Sequence, residues 1–249
     1  MSMKQKKMIA VIAILSAAMS IQPVAGAMHI MEGYLSPAYC IAWGVLSIPF
    51  IVAGYLAIQK KLKENRRNIT LLAMAGAFIF VISSLKIPSV TGSCSHMTGT
   101  GLGAILFGPA TVSILGVIVL LFQAVLLAHG GLTTLGANTF SMAIAGPFVS
   151  YGIYKLCRLG KVNRYASIFL AACVGDLFTY CVTSFQLAVS YPSMEGGVMA
   201  SIGKFLGVFA PTQLPLAILE GIITVLIMIA LEAYAQPELG MVNYNKEAK

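Results

Sequence analysis

Residues 34–58 read YLSPAYCIAWGVLSIPFIVAGYLAI, and the chain then turns basic at Lys60, Lys61, Lys63, Arg66 and Arg67. The run holds no charged side chain. Coiled as a helix at about 1.5 Å per residue, it is long enough to cross a hydrocarbon core ~30 Å thick. Comparable runs recur along the chain, which is 58% hydrophobic and 10% charged, against roughly 25% charged in a soluble domain. A soluble core would not need them. The sequence therefore reads as all-α, a polytopic membrane helical bundle, with no polar stretch long enough for a second globular unit.

The formal charge of +8 invites a nucleic-acid reading, but the basic residues sit at membrane boundaries. Lys155, Arg158, Lys161 and Arg164 form a second cluster like that at 60–67, and such clusters mark cytoplasmic loops. No basic face is left to track a phosphate backbone, so the expected surroundings are membrane lipid and no nucleic acid. Five cysteines without CxxC spacing imply no disulfide framework.

Residues 1–27 have the form of a secretory signal. Lys4, Lys6 and Lys7 precede the apolar stretch Met8 to Met19, Pro23 breaks the helix, and Ala25-Gly26-Ala27 offers the small residues of a cleavage site. The alternative is an uncleaved first helix. Cleavage would leave 28–249 as a single transmembrane metal-capture domain with Met28 as a free amino terminus on the outer face.

Beyond 34–58, spans are expected at 70–86, 101–128, 138–154, 166–186 and 202–231. The loop at 87–100 is rich in Ser, Thr and Gly. Both basic clusters must face the cytoplasm, so an odd number of crossings separates the outer loop from Lys155. That parity favours splitting 101–128 at Gly108-Pro109, which gives seven spans after cleavage. A re-entrant first piece would give six. In either case Met28-His29 and the loop holding His96 share the external side.

The three histidines, His29, His96 and His129, all lie outside long apolar stretches. After cleavage His29 is the second residue. The Met28 α-amine, the deprotonated His29 amide nitrogen and the His29 imidazole can close two fused chelate rings around one metal. Three nitrogens in a plane suit Ni(II), Cu(II) or low-spin Co(II), and His96 is the candidate for the remaining position. Ser95, Asn138 and His129 are expected to stand behind these ligands and hold them. Each histidine also has a plainer reading, as a surface, loop or helix-capping residue. Asp176 and Glu220 lie within spans, where a carboxylate is costly; they are either functional or hydrogen-bonded glue between helices.

The chain lacks a GxxxxGK[ST] loop, an HExxH pair and a GxSxG elbow, so it is read as no enzyme, and any ATP-driven transport needs a separate motor. An intramembrane enzyme and a passive metal channel are the rival classes.

The segments MHIMEGYL (28–35), GSCSH (92–96) and HGGLTTLGAN (129–138), with Gly175-Asp176, TSFQLA (183–188) and TQLPLAILEG (212–221), resemble the CbiM/NikM family. These are the substrate-capture (S) components of energy-coupling factor transporters for cobalt and nickel. The similarity spans nearly all of 28–249 and leans to the cobalt type. It implies a seven-helix component that binds metal through Met28, His29 and His96. Co(2+) is then the transported substrate, with Ni(2+) as the alternative. It further implies a CbiN-like small membrane subunit, a CbiQ-like transmembrane coupling subunit and a CbiO-like ATPase, all serving cobalamin synthesis. The implied location is the cell membrane, with the mature amino terminus external and the carboxy terminus cytoplasmic. Met97 departs from the proline expected after the loop histidine, which bears on loop stiffness and not on ligand count.

Overall fold

The computed structural model describes residues 29–88 and 94–242. Helix α1 (Pro37–Glu64) opens with Pro37, whose missing N–H costs nothing in a first turn, and closes with Lys61 and Lys63 against the negative end of its dipole. It thus runs past the expected end at Ile58 and through the start of the basic cluster. Helix α2 (Asn68–Ser84) follows, tied back by the Asn68 side-chain amide, which donates to the Lys61 carbonyl. The segment expected as a plain loop contains a two-stranded antiparallel sheet, β1 (Lys86–Pro88) with β2 (Cys94–His96), in which Lys86 pairs with His96.

The break at Gly108-Pro109 is present. Helix α3 (Thr100–Phe107) stops where Gly108 takes φ +83°, and α4 (Pro109–Leu127) restarts on Pro109. Because α3 has only eight residues, about 12 Å, it cannot by itself cross ~30 Å of hydrocarbon, and the count of seven crossings turns on it. The next pass, α5, is continuous over 135–159: Leu135–Asn138 is α-helical, Thr139–Ala145 is π-helical and Gly146–Leu159 is α-helical again. Helix α6 (Arg164–Ser190) is capped by the Asn163 side chain, which accepts from the N–H groups of Tyr165 and Ala166. Helix α7 (Gly197–Tyr234) contains Pro211 and Pro215, and α8 (Gln236–Met241) ends the described chain.

Among the described residues four helices, α1, α4, α6 and α7, have the length and hydropathy of membrane spans, and α2 is a shorter apolar helix. The architecture is a membrane helical bundle. Outward-facing Ile41, Val52, Val125 and Leu226 are more than half exposed, the surface that lipid would cover. Inside, small residues bring helices close. A Cβ on Gly116 would collide with Ala143 of the π segment, and one on Gly175 would collide with Ser150.

Helices α2 and α4 fix the placement of the site. Asn68, at the start of α2, lies beside the basic cluster, whereas Ser83, at its end, meets Gln123 near the end of α4. The end of the bundle that carries Ser83 and Gln123 is therefore roughly 25 Å along α2 from the basic end.

Candidate metal centre

At that end the three histidines, spread over 100 positions of sequence, converge. His29, His96 and His129 are buried, and one ring nitrogen from each lies within 4.8 Å of the others. His29 enters because the segment before α1 is threaded into the bundle. Asn138 holds it there: its Oδ1 accepts the Ile30 N–H at 2.8 Å and its Nδ2 donates to the Ile30 carbonyl at 3.0 Å. The Thr134 hydroxyl donates to the same carbonyl at 2.7 Å. Gly130 and Gly131 let the chain pass this segment, since a Cβ on Gly131 would collide with Glu32. His96 is brought in by β2, and His129 by the turn that ends α4, where its N–H donates to the Gln123 carbonyl at 3.1 Å.

The hydrogen-bond network assigns the tautomers. The Ser83 hydroxyl donates to the Ile79 carbonyl, so at 2.7 Å it accepts from the Gln123 amide nitrogen. Gln123 Oε1 then faces His29 Nε2 at 3.1 Å, and that nitrogen must carry the proton. His96 Nδ1 lies 2.8 Å from the Met97 carbonyl, which can only accept, so it too is protonated. What remains is His29 Nδ1 and His96 Nε2, two lone pairs facing each other at 3.0 Å. Such a pair repels unless a cation joins it. A metal about 2.0 Å from two neighbouring nitrogens of a square plane holds them about 2.8 Å apart, close to what is found. Of the two His29 nitrogens, Nδ1 is also the one that closes a six-membered ring with the residue's own amide.

The remaining expected residues fall as follows. Met28, with its amine, lies outside the described residues, as does the stretch 1–27 read as a signal. Asn138 supports the site through the Ile30 backbone and not through a histidine ring. Ser95 is turned away from the rings, its hydroxyl 2.8 Å from that of Thr212 on α7. His129 does more than end a helix: its ring stacks on His29 with centroids 4.6 Å apart and planes 22° from parallel. It meets His96 edge-on at 5.0 Å, and its Nε2 is buried with no partner among the described residues. Gln123, near the end of α4, sets the His29 tautomer. A lone glutamine one turn from the end of an apolar helix was the available signal.

Burial keeps these rings neutral, the form that ligates. Loss of hydration is the chief cause for each: His96 is pushed down to about 4 against the pull of the Met97 carbonyl, and His29 lies well below its ordinary value, helped by His96. His129 is lowered by burial and then by its two neighbours. In the unfolded chain a histidine titrates near 6.5. Between about pH 6.5 and pH 4 the unfolded chain therefore binds more protons, and stability present above 6.5 is lost as pH falls. Each histidine that stays neutral steepens that loss, by on the order of 1 kcal/mol per pH unit. The thermal midpoint of metal-free protein in detergent should drop between pH 6.5 and 4.5; a flat profile would contradict buried neutral imidazoles.

A helical membrane bundle with three neutral imidazoles converging at one end defines a membrane protein suited to a transition-metal ion. The comparisons with known proteins agree. Residues 29–239 match the CbiM family, described as "Cobalt uptake substrate-specific transmembrane region". The cobalt transport protein CbiM of Lachnoclostridium phytofermentans is 71% identical over 246 residues, covering 98% of both chains. That of Chlorobium limicola is 64% identical over 213 residues, covering 86% of this chain and 84% of its own. Two crystal structures share the fold at 31% identity. A truncated transition metal transporter has TM-score 0.71 over 83% of this chain and 99% of its own, and a transition metal transporter has TM-score 0.72 over 82% and 92%. The chain belongs to the CbiM family of cobalt-uptake transmembrane proteins.

Proposed function

We propose that this chain is the substrate-specific subunit of an ATP-driven energy-coupling factor importer and captures Co(II) at the outer face of the cell membrane. The observation that carries the reading is the 3.0 Å approach of His29 Nδ1 to His96 Nε2, both as lone pairs. The Met28 amine and the His29 amide nitrogen complete a four-nitrogen plane once the signal is removed, and His129 lies stacked over the His29 ring. A stacked imidazole presents its face along the stacking direction, so His129 shields the chelate from water and is not its fifth ligand. Binding displaces protons from the amine and the amide, so affinity falls in acid. With the basic clusters inside, the capture end and the mature amino terminus are external and the carboxy terminus is cytoplasmic. The chain carries no nucleotide motif. Energy comes from a CbiO-like ATPase through a CbiQ-like coupling subunit, with a CbiN-like small subunit at capture, and the cobalt feeds cobalamin synthesis.

Nickel is the second reading, favoured by the donor set itself: four nitrogens in a plane bind Ni(II) more tightly than Co(II). Vesicles holding the chain with its three partners are expected to accumulate labelled cobalt only with ATP, and to prefer it to nickel at equal free concentration. Accumulation by the chain alone without ATP would make it a passive channel. A reversed preference would make nickel the cargo.

A further inference from the structure

The loop that carries His96 is gripped by one helix, α7. Thr212 meets Ser95, and Gln213 Nε2 donates to the His96 carbonyl at 3.4 Å and to Asp176 Oδ2 on α6 at 2.6 Å. Two turns further on, Glu220 takes three donors from the residues just past the histidine. Its Oε2 accepts the Thr98 N–H at 2.6 Å, and its Oε1 accepts the Thr98 hydroxyl at 2.8 Å and the Gly99 N–H at 3.0 Å. Gly99 is the N-cap of α3 and has no side chain to cap with, so a carboxylate 121 residues away supplies the cap.

The hydrogen-bond count also places a proton. Asp176 and Glu220 are both buried, and their carboxyls adjoin. Two such groups cannot both ionise in one site. Glu220 is surrounded by donors and has one lone pair on Oε2 to spare, so it is the anion. Asp176 Oδ2 accepts from Gln213, whereas Oδ1 has no partner among the described residues and is free to carry the proton toward Glu220.

We propose that Glu220, as the anion backed by a neutral Asp176, is a positioning residue for His96: it locks the backbone at Thr98 and Gly99, which aims the imidazole at the metal. The assignment rests on the reading that His96 is a metal ligand. It goes beyond helix-to-helix glue, because a glue residue has no reason to act through one histidine.

The test is Co(II) titration of the full mature protein in detergent, by affinity and by visible absorption. Glu220→Gln keeps the shape but sets an NH₂ group against backbone donors. It is expected to weaken cobalt binding by about 10- to 100-fold, as the loss of a group supporting a ligand does, and to shift the cobalt spectrum. Asp176→Asn keeps a neutral side chain that can still donate to Glu220 and accept from Gln213, and is expected to stay within about threefold of native. In a His96→Ala background Glu220→Gln should cost nothing further, since a residue acting only through His96 cannot add to its loss. Native binding by Glu220→Gln, equal damage from Asp176→Asn, or a full extra loss in the His96→Ala background would each overturn the proposal. Should Glu220→Gln fail to fold, Thr98→Val removes one of the three clamp bonds, and native affinity there would overturn it equally. If His96→Ala binds cobalt normally, the capture reading itself fails and positioning falls with it. If His96→Ala abolishes binding while Glu220→Gln is native, only positioning fails.

Discussion

Replacing His96 with alanine is expected to abolish tight cobalt binding. Among the described residues His96 Nε2 is the group aimed at His29 Nδ1, and the Met97 carbonyl fixes its tautomer so that the lone pair is always presented. Structural four-ligand zinc sites are worth about 10–16 kcal/mol, so an equal share per ligand is about 2.5–4 kcal/mol, on the order of 100-fold or more in affinity. Water cannot easily stand in. The residue is fully buried, and the cavity left would be bounded by the His29 and His129 rings and by the 96–99 loop. Calorimetric titration of the native and His96→Ala proteins reads the difference directly. Affinity within about fivefold of native would mean the metal sits elsewhere, with His129, whose Nε2 has no partner among the described residues, as the first place to look.

The parts of this site that the sequence made legible are those governed by local rules. Long apolar runs and basic clusters declare membrane helices because the hydrocarbon core demands them, and Gly108-Pro109 declares a break because proline cannot donate where a helix would continue. His29 and His96 could be placed on one side of the membrane by counting crossings. Helix ends were less legible: α1 continues six residues past Ile58, since Lys and Arg side chains are as content in a last helical turn as beyond it. The harder residues depend on partners about 100 positions away. Asn138 is expected beside the ligands, but nothing local marks the Ile30 backbone as its partner. His129 reads both as a residue behind the ligands and as a helix end, and only the packing of α4 against the amino-terminal segment separates the two. Asp176 and Glu220 could be recognised as costly in a bilayer, but the donors that satisfy Glu220 come from a loop more than 120 residues earlier. Such convergence is a property of the packing and has no signature in spacing.

Leaving a few residues ahead of Met28 should be nearly as damaging as removing His96, although every side chain is retained. The extension turns the α-amine into a peptide nitrogen. That would remove one donor of the proposed plane while leaving His29 buried and Ile30 held on both its N–H and its C=O. The expected result is a loss of more than about 100-fold in cobalt affinity, equivalent to one ligand. The native thermal midpoint without metal should remain, because Asn138 and Thr134 still hold Ile30. The same experiment separates the amine from the imidazoles. If the extended protein binds normally, the chelate does not use Met28, and the site reduces to the three histidines the structure brings together. If it binds weakly but keeps the native pH dependence, the proton lost on binding comes from elsewhere than the amine. If both affinity and the acid sensitivity of binding decline together, the free terminus is the group that couples capture to pH. The outer face would then load metal best at neutral pH, and protonation of the amine would be a chemically sufficient trigger for letting it go.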